Sequence, residues 1–148
     1  MRKTLLVLAL LLDAGAAQAQ LPFLRKRDAR PQQPVLQGID AMRADFAAQA
    51  GGTTVYFGNG SVTLGPPARA ALALQAAWLR RHPELVVSIE GYGDAGDTRD
   101  HALAVGAQRA AEARSYLVLL GVPAAQVSTT SWGKERPGLG RAVTLLVR

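Results

Sequence analysis

Two oppositely charged side chains stand where a strand, a turn and a helix are expected to follow one another. Asp94 lies in a glycine-containing turn after the apolar run Leu85 to Ile89, and Arg109 follows in a long helical pattern. A strand–loop–helix unit brings such residues to one rim, where an arginine fork suits a carboxylate and an aspartate suits an ammonium group. The spacing predicts a site for a small zwitterion. The plainer alternative is that Asp94 and Arg109 only pair with each other at the surface.

Catalysis and metal binding are not expected. No serine or cysteine is placed to form a nucleophile–base pair with either histidine, and no paired glutamates suggest glycoside cleavage. Asp94, Asp97 and Asp100 superficially resemble a calcium loop, but an EF-hand needs ligands at alternate positions and a glutamate where this chain has Val105. The chain is therefore predicted to be a binding protein and not an enzyme, with no metal and no cofactor.

Two tryptophans are further candidates, because an indole ring can serve as a platform for a sugar. Trp78 shares a helical face with Leu74, which predicts partial burial. Trp132 follows a predicted strand at the same edge as Arg141, where it would lie near the rim of the site.

The elements that must position these residues begin at Thr53. Pro66 and Pro67 open a first helix, because proline lacks the N–H that a first turn leaves unpaired. Asp97 or Thr98 can cap a second helix, and Gly121 ends it. Apolar residues at steps of three and four predict the core stripe of that helix, namely Leu103, Gly106, Ala110, Ala113, Leu117 and Leu120. The predicted strands are 53–57, 85–89, 126–132 and 141–147.

This order, β-α-β-α-β-β, predicts an α/β (α+β) fold. Alternation of this kind indicates a two-layer sandwich, a mixed sheet with helices packed on one face. The strand at Leu85 to Ile89 is apolar enough to predict burial on both faces.

The start of the chain has the pattern of an export signal. Arg2 and Lys3 precede the short apolar run Leu5 to Leu12, and a small-x-small site ends at Ala19. We expect a signal peptide over residues 1–19, a basic linker rich in proline and glutamine over 20–47 with a short helix toward its end, and a folded domain over 48–148. The run is too short to span a bilayer, so no transmembrane segment is expected in the mature chain.

Composition restricts the compartment and the partners. The sequence has no cysteine, so neither a disulfide nor a lipid-modified cysteine is expected, and any membrane attachment would be indirect. The formal charge of +6 suits anionic polymers such as cell-wall material. A periplasmic protein associated with the outer membrane or cell wall is predicted, with nucleic acid not expected as a partner.

Several segments together resemble the OmpA-like peptidoglycan-binding domain, as found at the C-terminus of OmpA and in Pal-type proteins. The similarity runs from about Thr53 to the C-terminus, with matching order and spacing. Its motifs are Val55-Tyr56-Phe57, Leu85 to Gly91 with Asp94, Arg109-Ala110-Ala111, Tyr116-Leu117, Leu120-Gly121-Val122, Val127-Ser128 and Trp132-Gly133-Lys134-Glu135-Arg136-Pro137.

The resemblance implies noncovalent binding of the diaminopimelate side chain in peptidoglycan stem peptides. It assigns the ligand's ammonium group to Asp94 and its carboxylate to Arg109, with Gly93, Thr98 and Arg141 as further ligand-binding positions. It also implies that the chain helps to tether the envelope to the cell wall, with outer-membrane or envelope proteins as further partners.

The chain departs from the family pattern at four positions. Gly93 replaces a threonine, Ala102 replaces an asparagine, and Gly140 and Ala142 replace the polar neighbours of Arg141. Each loss removes a hydrogen-bonding group worth on the order of 0.5–1.5 kcal/mol. A degenerate domain that acts as a structural or protein-interaction subunit of an outer-membrane-associated complex is therefore the alternative function.

Overall fold

The computed structural model describes residues 34–136 and 140–148. The predicted signal peptide and the first part of the predicted linker lie outside these residues.

A four-stranded mixed sheet forms one layer of the fold. Its strand order is β1-β4-β2-β3, with β4 antiparallel to both of its neighbours and β2 parallel to β3. The predicted fold class is confirmed, and a helix precedes the predicted order at the place where the sequence predicts a short one, toward the end of the linker. The elements in chain order are α1 (Pro34–Gln49), β1 (Thr54–Tyr56), α2 (Pro66–Leu79), β2 (Val87–Tyr92), α3 (Arg99–Leu119), a 3₁₀ turn (Ala124–Gln126), β3 (Val127–Gly133) and β4 (Arg141–Leu146).

The helices cover one face of the sheet, and the core lies between the two layers. Val87 and Ile89 of β2 point into this core and are fully buried, whereas Ser88 and Glu90, which alternate with them, are only partly buried. The prediction that this strand is buried on both faces was therefore wrong. Only the face of β2 that lies toward the helices is fully buried, because no helix among the described residues covers the other face of the sheet.

Helix α3 packs along β2 and β3, and its predicted stripe is largely correct. Gly106, Ala110, Ala113 and Leu117 are buried, but Leu103 is exposed and its neighbour Ala102 is buried instead. The first turns of α3 lie so close to the sheet that only a small side chain fits there. The larger leucine is therefore turned toward solvent.

Helix α1 packs on the domain through one buried aromatic side chain and two charged ones. Phe46 is fully buried against Trp78, with ring centroids 5.0 Å apart. The Trp78 indole Nε1 donates to Asp45 Oδ2 at 2.8 Å, and this bond is the main reason why the pKa of Asp45 lies below its usual range. Arg43 donates to the carbonyl oxygen of Leu146. Helix α1 thus belongs to the same compact unit as the sheet, and the packed domain begins before residue 48.

Trp78 itself is completely buried, which is more than the partial burial that its spacing from Leu74 predicts. Its indole is enclosed by Phe46, Asp45 and the His82 ring, whose centroid lies 4.0 Å from that of Trp78. Trp78 is therefore a core residue and offers no platform to a ligand.

Candidate functional site

The candidate site is built where α3 crosses the end of β2. A Cβ on Gly91 would lie 1.8 Å from the carbonyl oxygen of Gly106, so the two backbones are in direct contact. Thr98 caps α3 by accepting from the backbone N–H of His101 at 3.3 Å. This close approach carries the side chain of Arg109, ten residues into the helix, over the end of β2.

Asp94 and Arg109 meet there in a bidentate ion pair. Arg109 Nη1 lies 3.0 Å from Asp94 Oδ1, and Nη2 lies 3.0 Å from Oδ2. The Arg109 side chain is 0% exposed and that of Asp94 is 13% exposed. The strand–loop–helix unit brings the two charges together, as the spacing predicts. They bind each other directly, as in the plainer alternative, but the pair is buried and does not lie at the surface. Their role in binding a ligand stays a prediction.

Backbone carbonyl groups accept hydrogen bonds from the N–H groups of Arg109 that do not bond to Asp94. Nε donates to Ser61 O at 2.9 Å, Nη1 to Tyr92 O at 2.8 Å and Nη2 to Gly58 O at 3.2 Å. With the two bonds to Asp94, these acceptors match the five N–H donors that a guanidinium carries. Burying this cation is tolerable because every donor is satisfied.

The loop between β1 and α2 closes over the pair through residues 58–61. Two of its carbonyl groups accept from Arg109, and the backbone N–H of Gly60 donates to Asp94 Oδ2 at 2.8 Å. Gly60 adopts φ +65°, a left-handed conformation that glycine takes without strain. The 58–61 loop therefore holds both members of the pair, while the partly exposed edge of Asp94 is the part that solvent reaches.

The electrostatics of the pair favour the ionised aspartate. Hydrogen bonds from Arg109 are the main reason why the pKa of Asp94 lies below its usual range, with a smaller contribution from the Gly60 N–H. Burial opposes them by raising the pKa. Asp94 thus remains a carboxylate at neutral pH, able to accept from a cation.

Lowering the pH should therefore weaken the fold through this pair. The pKa of Asp94 is lower in the folded state than in the unfolded state, where it is about 4. The stabilising contribution of the ionised carboxylate is therefore complete above about pH 4, and it is lost as the pH falls through the pKa of the folded state. We expect the free energy of unfolding to fall less below about pH 4 in Asp94→Asn than in the wild type. Urea denaturation followed by circular dichroism across this range would test it, and parallel curves would contradict it. Asp45, whose pKa is also depressed, contributes to both proteins and cancels in the difference.

The other predicted site residues lie around the pair. Gly93 packs on α3, since a Cβ there would lie 2.5 Å from the carbonyl oxygen of Ala102. Arg141 lies over the Tyr92 ring, with Cζ 5.4 Å from the centroid. Gly140 bonds through its N–H to Gly93 O at 2.9 Å. Three of the four departures from the family pattern thus form one small-residue wall beside the pair.

Sequence reasoning missed the 58–61 loop, which it treated only as a turn. The atoms that matter are the carbonyl oxygens of Gly58 and Ser61 and the N–H of Gly60, and every residue carries such groups. Gly60 was the single available signal, because a residue at positive φ is most often glycine. Phe57 was missed too; its ring lies 5.3 Å from the Arg109 guanidinium carbon.

Solved structures of bacterial envelope domains share this architecture. The peptidoglycan-associated lipoprotein from Burkholderia pseudomallei superposes with a TM-score of 0.62 at 33% identity, over 65% of this chain and 91% of that one. The C-terminal domain of Helicobacter pylori MotB superposes with a TM-score of 0.59 at 18% identity, over 64% of this chain and 84% of that one, which shows a shared fold alone. The chain thus has the α+β fold of these domains.

The sequence places the chain in a family within that class. Residues 56–142 match the family model described as the OmpA family, and the chain belongs to this family. A peptidoglycan-associated lipoprotein of Agrobacterium fabrum is 40% identical over 93 residues, which is 63% of this chain and 52% of that protein. One from Pseudomonas aeruginosa is 41% identical over 99 residues, 67% of this chain and 58% of that protein. The chain thus spans little more than half the length of these relatives. In the part of the chain that the structure describes, no helix has the length and apolar character needed to cross a membrane.

Proposed function

We propose that this chain binds peptidoglycan noncovalently in the periplasm and helps to tether the envelope to the cell wall. The single observation that carries the proposal is the Asp94–Arg109 pair at the end of β2, in a chain about 40% identical to proteins named for their association with peptidoglycan. The proposal includes export by residues 1–19 and a tether ahead of α1. Envelope proteins remain proposed as additional partners.

The ligand in this proposal is the end of a diaminopimelate side chain, which carries an ammonium and a carboxylate on one carbon. Its ammonium group would bind Asp94, whose carboxylate is partly exposed and accepts three hydrogen bonds of the roughly four it can accommodate. This half of the site needs no rearrangement. Gly93, Thr98 and Arg141 are proposed to line the rim.

The carboxylate half requires the 58–61 loop to open. Arg109 has no exposed surface and no spare N–H, so a ligand carboxylate must replace the carbonyl oxygens of Gly58 and Ser61. Both kinds of acceptor bond to a charged guanidinium, but a ligand carboxylate adds a charge–charge attraction and a bidentate geometry that a carbonyl oxygen lacks. Replacing the two carbonyl groups with a ligand carboxylate is therefore expected to lower the free energy. The cost of moving the 58–61 loop offsets part of that gain.

The alternative function remains a degenerate domain that serves as a structural or protein-interaction subunit. The observation that favours it is the complete saturation of the Arg109 guanidinium by the protein's own acceptors. In that case the pair only stabilises the fold.

Co-sedimentation with insoluble peptidoglycan separates the two functions. We expect the wild type to sediment with the polymer and Asp94→Asn to bind about 10–100-fold more weakly, because one charge-assisted contact is lost. Asp40→Asn is the matched control, since Asp40 is an exposed aspartate that pairs with Arg43 on α1. Wild-type protein that stays in the supernatant would leave the interaction subunit as the function.

Competition with small molecules then tests the ligand itself. Diaminopimelate should release the protein from the polymer at lower concentration than 1,5-diaminopentane, a diamine whose two ends carry ammonium groups without a carboxylate. Equal competition by the two would mean that Arg109 does not take part in binding.

A further inference from the structure

A cavity lies beside the Asp94 turn, between the first turns of α3 and the end of β3. Its volume is about 200 Å³, and its lining residues are Arg99, Asp100, Leu103, Trp132, Gly133 and Glu135. We propose that this cavity is a subsite for a neutral N-acetylated sugar residue of the glycan strand. The inference rests on the proposed function, because it assigns the glycan of the same polymer whose peptide is assigned to Asp94.

The cavity is held in a fixed position relative to the ion pair. The backbone N–H of Gly93, the residue before Asp94, donates to Gly133 O at 2.8 Å. Lys134 Nζ donates to the carbonyl oxygen of Asp97, which ties the segment after β3 to the turn before α3. A ligand that extends from Asp94 toward the end of β3 would therefore reach the cavity.

The charges around the cavity argue for a neutral ligand. Arg99 Nε lies 2.7 Å from Glu135 Oε1, so these two exposed side chains neutralise each other at the rim. Asp100 adds a further negative charge to the lining. An anionic ligand such as a lipid phosphate would be repelled by this lining, whereas paired guanidinium and carboxylate groups can bond the hydroxyl groups of a sugar.

The apolar part of the lining suits a sugar with an acetyl group. Leu103 is 47% exposed, which leaves an apolar side chain open to an acetyl methyl group. Trp132 is held in place by Arg136, whose guanidinium carbon lies 3.4 Å from the indole centroid. Its Nε1 is buried without an acceptor in the described part of the chain. A joint shift of Trp132 and the Arg136 side chain stacked on it would bring this donor to the acetamido carbonyl.

The size of the cavity sets how much of the ligand it can take. Pockets for whole drug-sized ligands usually measure about 300–1,000 Å³. A cavity of about 200 Å³ is smaller than that, which fits one sugar unit of a longer strand. We therefore expect weak binding of the glycan alone, in addition to binding at Asp94.

NMR titration with the N-acetylglucosamine tetramer tests the inference on the intact protein. We expect the indole ¹H–¹⁵N signal of Trp132 and the amide signal of Leu103 to move, while the indole signal of Trp78 stays fixed. Trp78 is the internal control, because its N–H is buried and already bonded to Asp45. Trp132→Phe assigns the two indole signals, and the glucose tetramer, which lacks acetyl groups, should bind more weakly.

A pair of matched variants separates the cavity from the rest of α3. Leu103→Glu adds a charge to the cavity and is expected to weaken tetramer binding about tenfold or more. Leu119→Glu makes the same change at a 78% exposed position near the other end of the helix, and it should bind as the wild type does.

The inference is overturned if the Trp132 signal does not move at millimolar tetramer, or if Leu103→Glu binds as tightly as Leu119→Glu. Titration with free diaminopimelate, read at the amide of Asp94, tests the proposed function separately. A response there without a response to the tetramer would reject only the sugar subsite.

Discussion

Replacing Arg109 with alanine is expected to lower the free energy of unfolding by about 3–5 kcal/mol. The substitution leaves the Asp94 carboxylate without its cation and removes the donors from the carbonyl groups of Tyr92, Gly58 and Ser61. The loss is large because Arg109 is fully buried, so water cannot simply replace its hydrogen bonds. Urea or guanidinium denaturation followed by circular dichroism would measure it.

Two further variants show whether the loss of stability is due to the buried guanidinium group of Arg109. Arg69→Ala removes an exposed arginine from α2 and should change stability by no more than about 0.5 kcal/mol. Arg109→Lys keeps the charge but loses the planar fork, and it should fall between the two. If Arg109→Ala is no more destabilising than Arg69→Ala, the guanidinium does not hold the loop and the sheet end together.

This prediction also affects how binding data are read. A protein that loses Arg109 can lose peptidoglycan binding because the 58–61 loop is released, without any direct contact between arginine and ligand. Asp94→Asn is the cleaner test, since it preserves the shape of the side chain and two of its hydrogen-bonding positions.

Replacing Gly91 with alanine is expected to destabilise the domain by about 3 kcal/mol or more, the upper end of overpacking effects. The added Cβ would lie 1.8 Å from the Gly106 carbonyl oxygen and 2.8 Å from its carbonyl carbon. Both are backbone atoms of α3, so relief requires the helix to move away from the sheet. Such a movement would also withdraw Arg109 from Asp94.

Gly96→Ala provides the matched control for Gly91→Ala. Gly96 lies in the turn after Asp94, where an added Cβ meets no atom within 4 Å. It should change stability by no more than about 0.5 kcal/mol. If thermal or chemical denaturation gave equal midpoints for the two alanine variants, the close contact between β2 and α3 would be refuted.

Much of the fold was predictable because its signals are local. Pro66 opens α2, Thr98 caps α3 and Gly121, at φ +92°, follows the end of α3, as the sequence predicts. Each of these residues acts through its own backbone geometry or a bond to a near neighbour. Such features can be predicted from the sequence without knowledge of the tertiary contacts.

Other features depend on partners that are distant in the chain. The docking of α1 includes the bond between Asp45 and Trp78, which are 33 residues apart, so the sequence of the helix alone does not show which partner it contacts. Similarly, the spacing of Leu103 fits a core stripe, but the sheet is too close there to admit it. Burial at these positions is decided by the surface that faces them.

The sequence by itself determined the element order and the two residue types, aspartate and arginine, that face one rim. Only the tertiary structure decided that Arg109 is sealed, because three of its five acceptors are backbone carbonyl groups contributed by β2 and by the loop between β1 and α2. Backbone atoms carry no residue-specific signature. Their role appears only when chain folding brings Gly58, Ser61 and Tyr92 around one guanidinium.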